Sequence, residues 1–153
     1  VFGLSHMLLE FIENKKIKLN NCIVIETGGM KGNREEIEKK KLHEILSDGY
    51  GTDKIFSEYG MTELLSQSYT IKDDIFRPPP WQKVLIRDFN DPFKIKKIGR
   101  GIINIIDLAN INSCCFISTE DIGEVFKDGS FKIYGRANES DIRGCNNMLL
   151  DIN

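Results

Sequence analysis

The run Cys22-Ile23-Val24-Ile25 narrows the choice of fold most. Four apolar, mostly β-branched residues are too few for a buried helix, and they lack the alternation of a strand with one wet face. Such a run fits a strand buried on both sides, as in parallel sheets. It ends in Glu26-Thr27-Gly28-Gly29-Met30-Lys31-Gly32, where glycines permit a tight turn. Asn33, with Glu36 three positions on, opens a predicted helix to about Ser47, which Gly49 and Gly51 stop. Lys54-Ile55-Phe56-Ser57 reads as a second short strand, followed by a predicted turn through Glu58-Tyr59-Gly60-Met61-Thr62-Glu63. Strand, helix and strand with turns at the strand ends form a βαβ pattern. Upstream, residues 1–20 place Leu4, Leu8, Phe11 and Ile12 at amphipathic spacing and are expected to form a helix.

The second half changes character at Pro78-Pro79-Pro80. Short β runs follow at Val84-Leu85-Ile86, Ile102 to Ile106 and Phe116-Ile117-Ser118. Glu124-Val125-Phe126 and Phe131-Lys132-Ile133-Tyr134 then make a predicted hairpin through Asp128-Gly129. The expected fold class is therefore mixed α/β. An α/β portion spans 1–75, a small antiparallel β subdomain spans 76–136, and a hinge and tail span 137–153.

Composition removes several function classes. Hydrophobic residues at 41% and charged residues at 29% mark a globular chain. Twenty-one basic against 23 acidic residues leave a net charge of −2, with no basic field for nucleic acid or anionic lipid. The densest basic run, Lys39-Lys40-Lys41, follows Glu35, Glu36 and Glu38 and reads as a salt-bridged helix face. No apolar run nears the roughly 20 residues of a membrane-spanning helix. The four cysteines, Cys22, Cys114, Cys115 and Cys145, form no Cys-x-x-Cys pair, and His6 and His43 are the only histidines, which argues against structural zinc. Unpaired thiols without a signal-like leader point to a cytoplasmic location. Val1 lies inside a helical pattern with no initiator methionine, so the chain is expected to be part of a longer protein.

Three places carry chemistry. Glycines at 28, 29 and 32, between a strand and a helix, let backbone amides approach a phosphate, or form a plain turn. Tyr59, Gly60, Thr62 and Glu63 gather an aromatic ring, a hydroxyl and a carboxylate at a strand's carboxyl end, where open α/β sheets bind ligands. Equally, Tyr59 can be core and Thr62 a helix cap. Asp121 and Arg136 suit a ribose hydroxyl, or an Asx turn and a surface charge.

In order, the chain carries a Gly-Gly turn, Ser57 to Glu63 (SEYGMTE), Gly101 to Asn110 (GIINIIDLAN), Thr119-Glu120-Asp121-Ile122-Gly123 and Tyr134-Gly135-Arg136. This series resembles the adenylate-forming superfamily, which includes acyl-CoA synthetases and phenylacetate-CoA ligases. The ending Ser140-Asp141-Ile142-Arg143-Gly144-Cys145-Asn146 is similar to LuxE-type acyl-protein synthetases. The resemblance implies the C-terminal half of a ligase core, with the phosphate-wrapping loop upstream of Val1. It implies ATP and Mg²⁺ as cofactors, a fatty acid as substrate, and an acyl-reductase or other protein as acceptor. By motif position, Gly28, Gly29, Tyr59 and Gly60 would line the adenine and acyl pocket. Thr62 would touch the α-phosphate, Glu63 would hold Mg²⁺, and Asp121 and Arg136 would hold the ribose. Cys145, beside a cation in a polar tail, would accept the acyl group as a thioester. Two rival readings are a coenzyme A ligase and a non-catalytic fragment that dimerises through an open sheet edge.

Overall fold

The computed structural model describes residues 1–15, 18–19, 21–30, 35 and 37–137. The described chain divides into two compact units. Val1–Gly60 with Ser68–Phe76 forms the first, and Met61–Gln67 with the chain from Arg77 onward forms the second.

The first unit opens with strand β1 (Phe2–Leu4) and helix α1 (Ser5–Asn14). The amphipathic pattern predicts one helix from the start, but Phe2, Gly3 and Leu4 pair in parallel with Ile25, Glu26 and Thr27 of β2 (Val24–Thr27). A sheet partner outweighs local periodicity there. Helix α2 (Lys39–Tyr50) begins later than expected, after Glu35 and Glu38, and Gly51 ends it in the left-handed conformation at φ 72°. Gly49 lies within that helix rather than stopping it. Strand β3 (Ile55–Tyr59) pairs in parallel with β2, Glu26 opposite Ser57, so Glu58 and Tyr59 belong to the strand and not to the expected turn. Strand β4 (Ser68–Lys72), which carries no strong sequence signal, returns antiparallel to β3, and β5 (Ile75–Arg77) lies next to β4.

Leu8 and Leu9 of α1, Val24 of β2, and Leu42, Leu46 and Tyr50 of α2 form the core of this unit with Met30. Phe11 stacks on Tyr50 at 6.1 Å, and the Tyr50 hydroxyl donates to the Leu8 carbonyl at 3.3 Å. Cys22 packs against the same cluster.

The second unit is antiparallel. Its strands are β6 (Gln82–Arg87), β7 (Ile95–Lys96), β8 (Gly99–Asp107), β9 (Phe116–Val125) and β10 (Phe131–Arg136). They lie side by side in the order β10-β9-β8-β6-β7. The predicted hairpin joins β9 to β10, with Gly129 at φ 82° and its amide donating to the Phe126 carbonyl. Val84, Ile86, Ile102, Ile103, Ile105, Val125 and Phe131 are buried. Cys114 is exposed.

Gly101 and Gly123 face each other across β8 and β9. A Cβ on Gly123 would lie 2.5 Å from the Lys132 carbonyl oxygen and 2.8 Å from Ile103 Cδ1, and one on Gly101 would collide with the Arg87 carbonyl. Backbone cannot step aside as a side-chain tip can. Gly101→Ala and Gly123→Ala should each destabilise this unit by about 1–3 kcal/mol. Thermal melts check this, since each kcal/mol shifts Tm by roughly 2–4 °C at this chain length. Melting curves that overlay the parent's refute it.

Candidate functional site

In the first unit, the parallel strands β1, β2 and β3 end along one edge. Gly28 and Gly29 follow β2 at φ 74° and 59°, two successive left-handed residues that a side chain would strain. Open space surrounds the Gly29 Cβ position, so conformation and not crowding demands glycine there. Met30, 1% exposed, drops into the core and pins the turn from below. The turn is thus exposed above and anchored beneath.

Tyr59 ends the neighbouring strand β3, its ring tilted against Phe76 at 5.9 Å. Gly60 follows and is exposed. Thr27 Oγ1 donates to Glu58 Oε1 at 3.3 Å, linking the last residues of β2 and β3. The structure therefore brings Gly28, Gly29, Tyr59 and Gly60 to the carboxyl ends of adjacent parallel strands, the expected location for a ligand in such a sheet.

Beneath this edge is a polar network that sequence reading did not single out. Glu26 is 3% exposed in the middle of the sheet. Its Oε2 accepts from the Ser5 hydroxyl at 2.6 Å, and its Oε1 accepts a short hydrogen bond from the Ser57 hydroxyl. Lys39 Nζ lies 3.7 Å and His43 Nε2 3.6 Å from the same Oε1, and His43 Nε2 also meets Ser57 Oγ at 3.0 Å. Lys39 thus serves a buried acid. Its ammonium also sits 4.9 Å from the Phe76 ring centroid. Burial, the largest single influence, pushes the Glu26 carboxyl up. Interactions with His43, Ser5 and Ser57, and the charge of Lys39, outweigh it and lower the pKa to about 2.

In the second unit, Thr62 and Glu63 lie exposed on a turn closed by Leu64 N–H to the Met61 carbonyl at 3.1 Å. Asp121 is not in a turn between strands, as the sequence suggests, but within the continuous β9. Arg136 ends β10, and its Nε lies 3.4 Å from Asp121 Oδ1. A bulge produces this pairing. Ile133 faces Gly123, yet Gly135 faces Ile122, so Tyr134 is the extra residue and Arg136 comes to face Asp121. An unbroken register would set Arg136 against Glu120, on the other face of the sheet. Gly135, at φ 152°, accommodates the shift. The Tyr134 hydroxyl donates to Glu124 Oε2 at 2.7 Å, and Arg100 and Lys132 flank its ring at 5.2 and 5.8 Å. Cys145 lies outside the described residues.

Within the second unit, the Asp121 carboxylate beside the Arg136 guanidinium has the chemistry to meet hydroxyl groups. Among the described residues, no three His, Cys, Asp or Glu side chains gather around a common point. A lone exposed carboxylate such as Glu63 still suits Mg²⁺, which keeps several waters and shares substrate phosphates.

The fold has counterparts among solved structures. ATP-bound MatB from Rhodopseudomonas palustris matches with TM-score 0.60 and 16% identity, over 88% of this chain and 30% of that one. O-succinylbenzoate coenzyme A synthetase (MenE) from Bacillus subtilis in complex with AMP matches with TM-score 0.59 and 19% identity, over 92% and 31%. Coronafacic acid ligase from Pectobacterium brasiliense matches with TM-score 0.58 and 16% identity, over 88% and 29%. The chain shares its fold with part of each of these structures. It spans about 30% of the length of the structures it matches. No family model matches the chain, and no curated protein sequence does. Among the described residues, no helix is long and apolar enough to cross a membrane.

The Glu26 network makes a pH prediction. Its folded-state pKa lies below the ordinary value of 4.5. A depressed carboxyl contributes stability that is present above the unfolded-state pKa and lost as pH falls through the folded-state one. The loss should run from about pH 4.5 down to about 2 and amount to about 3 kcal/mol. Denaturant unfolding at stepped pH checks this. Glu26→Gln should be less stable at neutral pH and should lose this acid-limb slope, so parallel slopes in the two proteins overturn the assignment.

Proposed function

We propose that this chain is the nucleotide-holding part of an acyl-activating ligase. In the whole protein a fatty-acid carboxylate oxygen attacks the α-phosphorus of ATP. The bond from that phosphorus to the bridging oxygen of the β-phosphate breaks, and pyrophosphate leaves with its electron pair. The acyl-adenylate then meets a thiolate, the acyl carbon–oxygen bond breaks, and AMP departs as a thioester forms. The proposed acceptor thiol is Cys145, whose proton passes to solvent and whose thiolate a cation two positions away in sequence, Arg143, would favour.

The observation that carries the reading is the Asp121–Arg136 pair, made from two separate motifs by a bulge at Tyr134. A carboxylate beside a guanidinium offers ribose hydroxyls an acceptor. Tyr59 would stack on adenine, with Gly28, Gly29 and Gly60 beside it. Thr62 would donate to the α-phosphate, and Glu63 would hold Mg²⁺, whose charge offsets that of the phosphates. Such chemistry asks a protein mainly for positioning and charge neutralisation. A second reading, transfer to coenzyme A, is supported by the name of one fold neighbour, a coenzyme A synthetase.

Calorimetric titration of the purified chain with AMP should show saturable binding, weakened at least tenfold by Asp121→Ala with Tm nearly unchanged. Absence of AMP binding, or equal affinity in the variant, sinks the reading. With the whole protein, labelled fatty acid and ATP should leave a hydroxylamine-sensitive label that Cys145→Ser removes while pyrophosphate release continues. Label recovered on coenzyme A instead favours the second reading.

A further inference from the structure

Within the stretch Gly101–Asn110, Asp107 and Asn110 have no task in the reading above. Both hold the short segment that carries Thr62 and Glu63. Asp107 closes β8 with no exposed surface. Its Oδ2 accepts from the backbone amides of Leu65 at 3.1 Å and Ser66 at 2.8 Å. Its Oδ1 accepts from the Ser66 hydroxyl at 2.6 Å and the Ala109 amide at 3.2 Å. Three of these four donors therefore lie two or three residues beyond Glu63. Burial, the largest influence, pushes the Asp107 carboxyl up, but these donors outweigh it and hold it below the usual carboxylate range.

Asn110, 8% exposed, holds the near side of the segment. Its Nδ2 donates to the carbonyl of Glu63 itself at 2.9 Å and to the Cys114 carbonyl at 3.0 Å. Trp81 Nε1 donates to Ser66 Oγ at 2.9 Å, which fixes the hydroxyl that Asp107 uses. The two anchors have opposite polarity. Asn110 takes a carbonyl with a donor, and Asp107 takes amides with an acceptor, so neither can replace the other. An exposed turn closed by one hydrogen bond has little rigidity of its own. Bonds to a buried carboxylate are roughly twice as strong as neutral ones and supply it.

We propose that Asp107 and Asn110 are positioning residues for the phosphate end of the nucleotide, setting the backbone from which Thr62 and Glu63 project. This rests on the roles given to Thr62 and Glu63 above. Misplacement of a reacting group by about 1 Å costs on the order of 100-fold in rate, so the anchoring has functional weight.

The test separates the two ends of the nucleotide. In the full 153-residue chain, adenosine and Mg·ATP are titrated calorimetrically against the parent and Asn110→Ala. Amide hydrogen exchange is followed at Thr62, Glu63 and Leu64. The expected result is at least tenfold weaker Mg·ATP binding in Asn110→Ala, adenosine affinity within about twofold of the parent, and faster exchange at those three amides. Equal weakening of both ligands reports general loss of structure and overturns the proposal. Unchanged Mg·ATP affinity overturns it while leaving the nucleotide reading intact. A parent chain that binds neither ligand ends the nucleotide reading, and this proposal with it. Should Asn110→Ala not fold, Asn110→Ser keeps a shorter donor. It should show the same split between ligands, and affinities equal to the parent's overturn the proposal.

Discussion

A carboxylate taken out of water must find donors in the protein, because an ionised oxygen left bare in the interior costs several kcal/mol. Each unit of this chain holds such a group with several donors around it, Glu26 in the first and Asp107 in the second. Glu26 gathers Ser5, Ser57, His43 and Lys39, which come from two helices and a neighbouring strand. Asp107 gathers Ser66 and the amides of Leu65, Ser66 and Ala109. These requirements fix relative positions that apolar contacts alone leave loose. Hydrophobic burial tolerates sliding, whereas a set of charged hydrogen bonds does not.

Both acids also lie directly under exposed segments that carry candidate ligand groups. Glu26 stands two residues before the Gly28–Gly29 turn, and the donors to Asp107 begin two residues after Glu63. The exposed residues thus remain free to meet a ligand while their backbone is held from below. This separates the demand for reactivity from the demand for stability. Glycine at positive φ and an exposed threonine contribute little to folding, and the buried acids beneath them contribute the rigidity.

Much of this was legible in the sequence, for identifiable reasons. The run at 22–25 announces a strand, although β2 is shifted to Val24–Thr27 and Ile23 lies outside it and exposed, and Asp128-Gly129 announces the hairpin because few residues accept its backbone angles. The Gly-Gly turn and Ser57 to Tyr59 mark the carboxyl ends of β2 and β3. Strands β1 and β4 were not legible, since runs of three or five residues become strands only through a partner distant in sequence. Asp121 reads as a turn residue from its flanking polar neighbours, yet it lies inside a strand whose partner is bulged. The roles of Glu26, His43 and Asp107 were hidden for a related reason. A buried acid in a β run has no local signature, and only the fold shows which distant hydroxyls and amides reach it. A glutamate beside the Gly-Gly turn, interrupting an otherwise apolar strand, is the one signal that marks Glu26.

The path of the backbone has a consequence for how such a piece of protein can be inherited or rearranged. The chain leaves the first unit after Gly60, returns at Ser68, and leaves again after Phe76. Neither unit is a contiguous stretch of coding sequence. A gene segment beginning at Arg77 would encode nearly all of the second unit and would still omit Leu65 and Ser66. Asp107 would then be translated without three of its four donors. Recombination that treats the β portion as a cassette therefore delivers a buried acid stripped of most of its hydrogen-bond donors. The heritable module is the interleaved whole, because Leu65 and Ser66 supply donors that a carboxylate some forty residues further along the chain requires.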